Sequence, residues 1–246
     1  MPRARSARKH VEELLTISRD LARRTAPFRP GAPVAAVYRP LEYAWRPHEA
    51  YLRKFGGSGA HALLVGMNPG PFGMAQTGVP FGEVELVRSW MGIEEPVDRP
   101  ADEHPKRPVR GFDCHRKEVS GSRLWGWARD RFGTPEAFFA SFFVWNYCPL
   151  CFVKESGANL TPDQLSPDER AELFAICDEA LGAVARLFRP THVIGIGGFA
   201  EARIRAVLGD GDAKVGRVLH PSPASPIANR GWAERAEREL QALGAL

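Results

Sequence analysis

The stretch GMNPGPFGMAQTGVPFGEV, residues 66–84, sets Asn68 among five glycines and three prolines, as if a tight backbone had to pass close to something flat and small. Two other polar residues stand in similar settings: Asn146 closes the apolar run FFVWN, and His220 closes GRVLH. Asn68 and His220 are each followed by proline, which denies the preceding residue the α region and holds it extended. A carboxamide is no strong base, but its oxygen can hold a water in line, and a histidine can donate to a developing anion. That pair suits a bond that largely breaks before its nucleophile arrives, such as an N-glycosidic bond. There the sugar becomes oxocarbenium-like and the leaving base gathers negative charge on a ring carbonyl. Asn146 offers both a donor and an acceptor to the edge of a pyrimidine. Phe81, on the glycine-rich loop, is placed to stack on its face, an interaction worth about 1–3 kcal/mol per base.

These residues need elements to hold them. HALLVG (61–66) reads as a buried strand, FFVWN (142–146) as a second apolar one, and THVIGIGG (191–198) and GRVLH (216–220) as a third and a fourth. Helical patterns fall between and around them: residues 10–24, 83–91, 122–133, 134–141, 199–208 and 229–243. The segment LSPDERAELFAICDEALGAVARLF carries the clearest helix start, with Ser166 as cap, Pro167 next and acids in the first turn. Residues 27–44, rich in proline, read as an irregular wrap, and residues 94–121 as either a long ordered loop over the site or a surface excursion. Strands alternating with helices predict an α/β fold with parallel pairing, helices on both faces and right-handed crossovers. Asn68, Asn146 and His220 then all lie at the carboxyl ends of strands, where open α/β sheets form ligand crevices.

Composition narrows the rest. With 44% hydrophobic and 25% charged residues, the chain suits a soluble globular protein, and residues 10–246 read as a single domain. No apolar run approaches the roughly 20 residues of a membrane helix, so no membrane partner is expected. The four cysteines (Cys114, Cys148, Cys151 and Cys177) are too scattered for a disulfide framework. Cys148 and Cys151 have CxxC spacing without a second pair, so buried thiols are expected and no metal or other cofactor. The net charge is +4, with basic clusters at MPRARSARKH, HPKRPVR and RDRF, the footprint of a polyanion. Residues 1–9 read as a basic, flexible tail that either only solubilises or also touches that polyanion. GxxxxGK[ST], GxSxG and HExxH are absent, and GIGG is too short for a dinucleotide fingerprint.

The stretch from residue 66, with EHPKRPV, EVSG, WNYCPL, GANLTP and LHPSPASPIANRGW, resembles the single-strand-selective monofunctional uracil-DNA glycosylases of the uracil-DNA glycosylase superfamily. The resemblance runs from about residue 35 to the C-terminus. It implies a three-layer α/β/α sandwich around a central, mainly parallel four-stranded sheet. It also implies removal of uracil and of 5-hydroxymethyl, 5-formyl and 5-hydroxy derivatives from single- and double-stranded DNA, leaving an abasic site uncut. By the resemblance, Asn68 positions the hydrolytic water and His220 stabilises the departing base. Phe81 stacks on the base and Asn146 reads its edge, while Met67 and Gly70 line the pocket, Gly70 leaving room near C5. DNA contacts fall within Ser156 to Arg170, at Ser156, Gly157, Asn159 and Thr161. The loop Pro221, Ser222, Pro223, Ala224, Ser225 and Pro226 is expected to wedge into the duplex as the base flips out. Family members can carry arginine where this chain has Ala224, a departure that bears on duplex substrates. A monomer is expected, cytoplasmic in a bacterium or nuclear in a eukaryote. Two rival readings stay open: a lesion-binding protein with little turnover, and a free-nucleoside hydrolase.

Overall fold

The computed structural model describes residues 2–246, with side chains from residue 6 onward. In chain order the elements are α1 (Pro2–Thr25), β1 (Val34–Tyr38), α2 (Pro40–Tyr43), α3 (Trp45–Phe55), β2 (Ala62–Gly66), α4 (Met74–Thr77), α5 (Val84–Ser89), α6 (Val119–Phe132), α7 (Pro135–Phe139) and β3 (Phe142–Asn146). There follow β4 (Cys151–Lys154), β5 (Asn159–Leu160), α8 (Pro167–Phe188), β6 (His192–Ile196), α9 (Gly198–Leu208), β7 (Lys214–Val218) and α10 (Trp232–Leu243).

The four expected strands form one parallel sheet in the order β3-β2-β6-β7. Every residue of β2 and β3 is buried, which is why both read as unbroken apolar runs rather than alternating ones. From β2 the chain moves one way to β3; from β3 it crosses back over β2 to β6 and on to β7. Right-handed crossovers in opposite directions put helices on opposite faces. Thus α8 and α9 pack together with α1, while α6 packs with α7 and α10. The sandwich has three layers. Strand register then aligns the carboxyl ends, Gly66 opposite Asn146 and Ile196 opposite Val218, so the residues that follow them share one edge.

Local signals explain the helix ends. Ser166 and Glu169 form a capping box at α8, Thr134 caps α7 by accepting from Ala137 N, and Gly133 ends α6 with φ +74°. Three features depart from the sequence reading. The wrap at 27–44 contains β1, and a further helix, α3, follows it. Strand β1 also belongs to a second, antiparallel sheet of order β1-β4-β5. Its strands are short and framed by Pro33, Pro40 and the CPL turn, so their pattern is swamped by turn residues. Finally, the basic run at residues 2–9 continues α1 instead of forming a separate tail; Met1 and the side chains of residues 2–5 lie outside the described residues. The helix persists because it lies on the segment after α3. A Cβ at Gly57 would come 3.2 Å from Val11 Cγ2 and 3.4 Å from Ala7 O, so glycine there lets α1 sit down closely.

One apolar cluster runs from Val11 to Ala245, with Trp125, Phe138, Phe139, Phe142 and Phe143 fully buried. All four cysteines are free and buried. No helix of the described residues is long and apolar enough to cross a membrane. The buried His48 joins the layers: its Nδ1 bonds Gly78 O at 2.8 Å, and its Nε2 meets Ser18 Oγ at 2.7 Å. The carbonyl can only accept, so Nδ1 carries the proton and Nε2 accepts from the hydroxyl, which is the neutral tautomer. Burial pushes this imidazole down from 6.5 to about 4.

An acid dependence of stability follows. Below pH 6.5 the unfolded chain takes up the His48 proton before the folded one does, so stability present above 6.5 is lost as pH falls towards 4. That shift corresponds to roughly 3 kcal/mol. Urea unfolding at pH 7 and near pH 4.5, in wild type and in His48→Gln, measures it: the variant should show the shallower pH dependence. Equal pH dependence in both would remove His48 as its source.

Candidate active site

At the carboxyl edge of the parallel sheet lies a cavity of about 350 Å³, at the small end of the usual range for ligand pockets. Asn68, His220, Met67, Gly70, Phe81 and Asn146 all line it. From the expected DNA-contact segments it takes Asn159, Thr161 and Ser222. Ser156 and Gly157 sit instead at the turn between β4 and β5, where Gly157 has φ +84° and donates its N–H to Lys154 O at 2.7 Å.

Asn146, the last residue of β3, is almost wholly buried. Its Nδ2 donates to Met74 Sδ at 3.2 Å, and its Oδ1 is buried with no donor facing it. Buried acceptors in native proteins are nearly always satisfied, so this one stands out among the residues that line the cavity. Above it sits Phe81, a bulky residue at φ +54°, a conformation that costs of order 1–3 kcal/mol and persists only when its surroundings enforce it. They do so at each neighbouring peptide. Trp125 Nε1 bonds Pro80 O at 3.2 Å, Glu83 N bonds Phe81 O at 2.7 Å, and Thr77 Oγ1 bonds Gly82 O at 3.0 Å. Gly66, opposite Asn146 in the sheet, completes the arrangement. A Cβ there would run into Asn146 Oδ1 and stand 2.5 Å from Phe81 Cε2.

Asn68 turns its Nδ2 to Leu150 O (3.1 Å) and Pro69 O (3.3 Å). Two carbonyl acceptors fix which way the amide faces, and Oδ1 is left without a protein donor among the described residues. His220 packs over Gly197, whose φ of +97° and missing side chain let the imidazole Cβ approach to 3.2 Å of where a Cβ would be. The His220 and Phe81 ring centroids are 6.1 Å apart. Burial lowers the His220 pKa to about 4 with no carboxylate to offset it, so the ring is neutral near pH 7.

Glu118 is the residue the sequence reading missed, although EVSG holds it. It caps α6 by accepting from Ser120 N at 3.0 Å, and its side chain arches over the glycine-rich loop into the cavity. Its Oε2 and Cγ lie 2.9 Å from where Cβ atoms of Gly70 and Gly73 would stand. The space beside Gly70 is therefore bordered by a carboxyl group, where open room was expected. Burial raises the pKa of that carboxyl, and Glu83 nearby raises it further. Glutamate is an uncommon helix cap, which hid the signal.

The loop after His220 is held from α6. Arg123 Nη1 donates to Pro221 O (3.1 Å) and Ser222 O (3.2 Å), and Nη2 to Asn229 Oδ1 (2.7 Å). Pro223 and Ala224 are exposed at its tip with Ser225 partly so, and Ile227 beside them is 50% exposed.

A four-stranded parallel sheet between helical layers, with a base-sized hollow at its carboxyl edge, is the uracil-DNA glycosylase fold. The crystal structure of wild-type Pedobacter heparinus SMUG2 agrees in fold, with a TM-score of 0.65 over 93% of this chain and 97% of that one at 16% identity. Closer in sequence is the single-strand selective monofunctional uracil DNA glycosylase of Mus musculus, 46% identical over all of this chain and 88% of its own. The Rattus norvegicus protein of the same name is 47% identical over the same shares. That of Bos taurus is 48% identical over 87% of this chain and 79% of its own. No protein-family model matches. The chain belongs to the single-strand selective monofunctional uracil-DNA glycosylase family.

Gly66→Ala tests the central packing. The added methyl should displace the Phe81 ring and the Asn146 amide, destabilise by about 1–3 kcal/mol as overpacking does, and cut activity far more than that loss of folded protein allows. Thermal melting beside single-turnover rates gives both readings; a variant of full activity would show that the packing has slack.

Proposed function

We propose that this protein is a monofunctional DNA glycosylase of base-excision repair, acting as a monomer. It hydrolyses the N-glycosidic bond of uracil and of 5-hydroxymethyl-, 5-formyl- and 5-hydroxyuracil in single- and double-stranded DNA and leaves an abasic site. The observation that supports it most is the buried, unsatisfied Oδ1 of Asn146, a residue that lines the hollow together with Phe81. An acceptor so placed matches the N3–H of uracil and meets only a lone pair in cytosine. Leaving a buried group unpaired is the kind of penalty by which a site rejects a near-isostere.

In this reading the flipped base stacks on Phe81, and Asn146 binds N3–H through Oδ1 and the 4-carbonyl through its remaining N–H. The Asn68 oxygen holds a water below the sugar. As the glycosidic bond lengthens, electrons pass to the base and gather on its 2-carbonyl. A neutral His220 donates a hydrogen bond from its one N–H there, and the water then adds to the sugar carbon, the proton it releases balancing the negative charge carried off by the departing uracil anion. Neutrality suits the task, because a buried imidazolium would oppose the cationic sugar. Ser156, Gly157, Asn159 and Thr161 face the strand from one rim and residues 221–225 from another. Ala224 gives the tip a small side chain, and Ile227 is the large apolar group beside it.

Release of uracil from a labelled oligonucleotide tests the reading; tight binding without release would favour a lesion-binding protein instead. Asn68→Ala should lose most turnover and keep DNA affinity. His220→Ala should lose about 10²–10³ in rate, as for one preorganised donor. Since the ring protonates only near pH 4, the rate should stay level from pH 8 down past 6.5. A fall centred on 6.5 would mean that His220 titrates as in solution.

A further inference from the structure

Many surface cations of this protein are neutralised where they stand. Arg19, Arg24, Arg53, Arg88, Arg131, Arg203, Arg205 and Arg235, for example, each reach a carboxylate. The contrast comes between residues 99 and 123, where no lysine or arginine forms an ion pair among the described residues. Two of these cations converge on one ring. Arg116 Cζ lies 4.3 Å and Arg107 Cζ 5.2 Å from the centroid of Phe72, both over its face. Phe72 sits between Pro71 and Gly73 of the cavity wall, and Arg116 two residues before Glu118.

The cluster is built in place. Lys106 Nζ donates to Ser156 O at 3.3 Å, and a Cβ at Gly157 would come 3.0 Å from Lys106 Cβ, so the turn between β4 and β5 is pressed onto this segment. Tyr38 donates its hydroxyl to Arg107 O at 2.5 Å, and Arg107 Nη1 donates to Lys106 O at 2.8 Å. Yet Arg107 Nε is buried without an acceptor, and the Arg116 side chain, exposed, donates to nothing among the described residues. A ring whose face is taken by guanidinium groups is a poor platform for a base. It is a good splint for the guanidinium groups, since a cation over an aromatic face gains about 0.5–1 kcal/mol even when exposed and loses freedom. Planar donors held so match the paired oxygens of a phosphodiester.

We propose that Arg107 and Arg116, splinted on Phe72, form a phosphate clamp that grips the DNA backbone beside the flipped nucleotide, at the Pro71–Glu118 stretch of the rim. This rests on the reading of the cavity as a nucleobase pocket. Lys106 adds charge on the side of the β4–β5 turn. The clamp reads no base, so it acts alike on every sequence and on single strands.

The test uses the full chain with Arg116→Ala, Arg107→Gln and both together. Affinity for a uracil-free single-stranded oligonucleotide is measured by fluorescence anisotropy across a salt series, and base release from the uracil-containing strand is followed in parallel. Each substitution should reduce the slope of log K against log salt by roughly 0.7, as loss of one phosphate contact does on a single strand. KM should rise with kcat held. Arg19→Ala, which breaks a pair with Glu49, serves as the control and should leave the slope unchanged. Phe72→Leu keeps both charges and should still weaken binding; wild-type affinity there would overturn the splint. An unaltered slope in the double variant, with its melting temperature held, would overturn the clamp. A wild-type protein that shows the slope but releases no uracil would refute the enzymatic reading and leave the clamp standing.

Discussion

The site depends on an absence, the missing Cβ of Gly66. That residue ends β2 directly beside Asn146, and the two atoms that crowd its empty side are the Asn146 carboxamide oxygen and the edge of Phe81. Parallel register fixes Asn146; a strained φ, enforced by Trp125, Glu83 and Thr77, fixes Phe81. Only a glycine lets both occupy the same few ångströms. The helical layers and the second sheet then keep that edge rigid enough for the strain to persist, since such conformations survive only where surrounding structure over-determines them.

This changes what the glycine-rich stretch is for. A close approach to a flat ligand is one use of glycine, but several of these glycines approach protein instead. Gly66 yields to Phe81 and Asn146, and Gly70 and Gly73 yield to Glu118. Gly82 yields to Thr77 and to Val79, whose carbonyl accepts the Gly82 N–H at 2.8 Å. The loop is packed from beneath, and the ligand surface is what that packing leaves over. Preorganisation of this sort places donors and acceptors before a substrate arrives, so little reorganisation remains for the reacting state.

How far the sequence could be read follows from the same physics. Strands β2, β3 and β6 were legible because burial on both faces leaves uninterrupted apolar runs, and α8 because its cap residues are of the preferred types. That Asn68, Asn146 and His220 would lie around one hollow was legible because all three follow or close strands of one parallel sheet, whose carboxyl ends form a crevice. The second sheet was not, since strands of two to five residues between prolines carry too few alternations to stand out. Nor was Glu118, because its place in the cavity comes from the arch of a long side chain over two glycines, a relation between residues nearly fifty positions apart. The resemblance named residues that line one cavity; the register and the Gly66 contacts supply the reason they lie together.

Charge is divided between interior and rim. Inside, both titratable groups that line the cavity are pushed towards neutrality: the His220 pKa falls and the Glu118 pKa rises, each chiefly by burial. At the rim, Lys106, Arg107 and Arg116 form no ion pair among the described residues. The two regimes serve different distances. A phosphate backbone is drawn in by unpaired cations over about a Debye length, roughly 8–10 Å. A neutral interior matters only once the base is inside, where a fixed charge would bias the site towards one partner of the nascent ion pair, cationic sugar or anionic base. Placing a cation in the pocket would harm the chemistry without improving the rim's hold on phosphate, and pairing the rim cations with acids would weaken encounter and spare the chemistry.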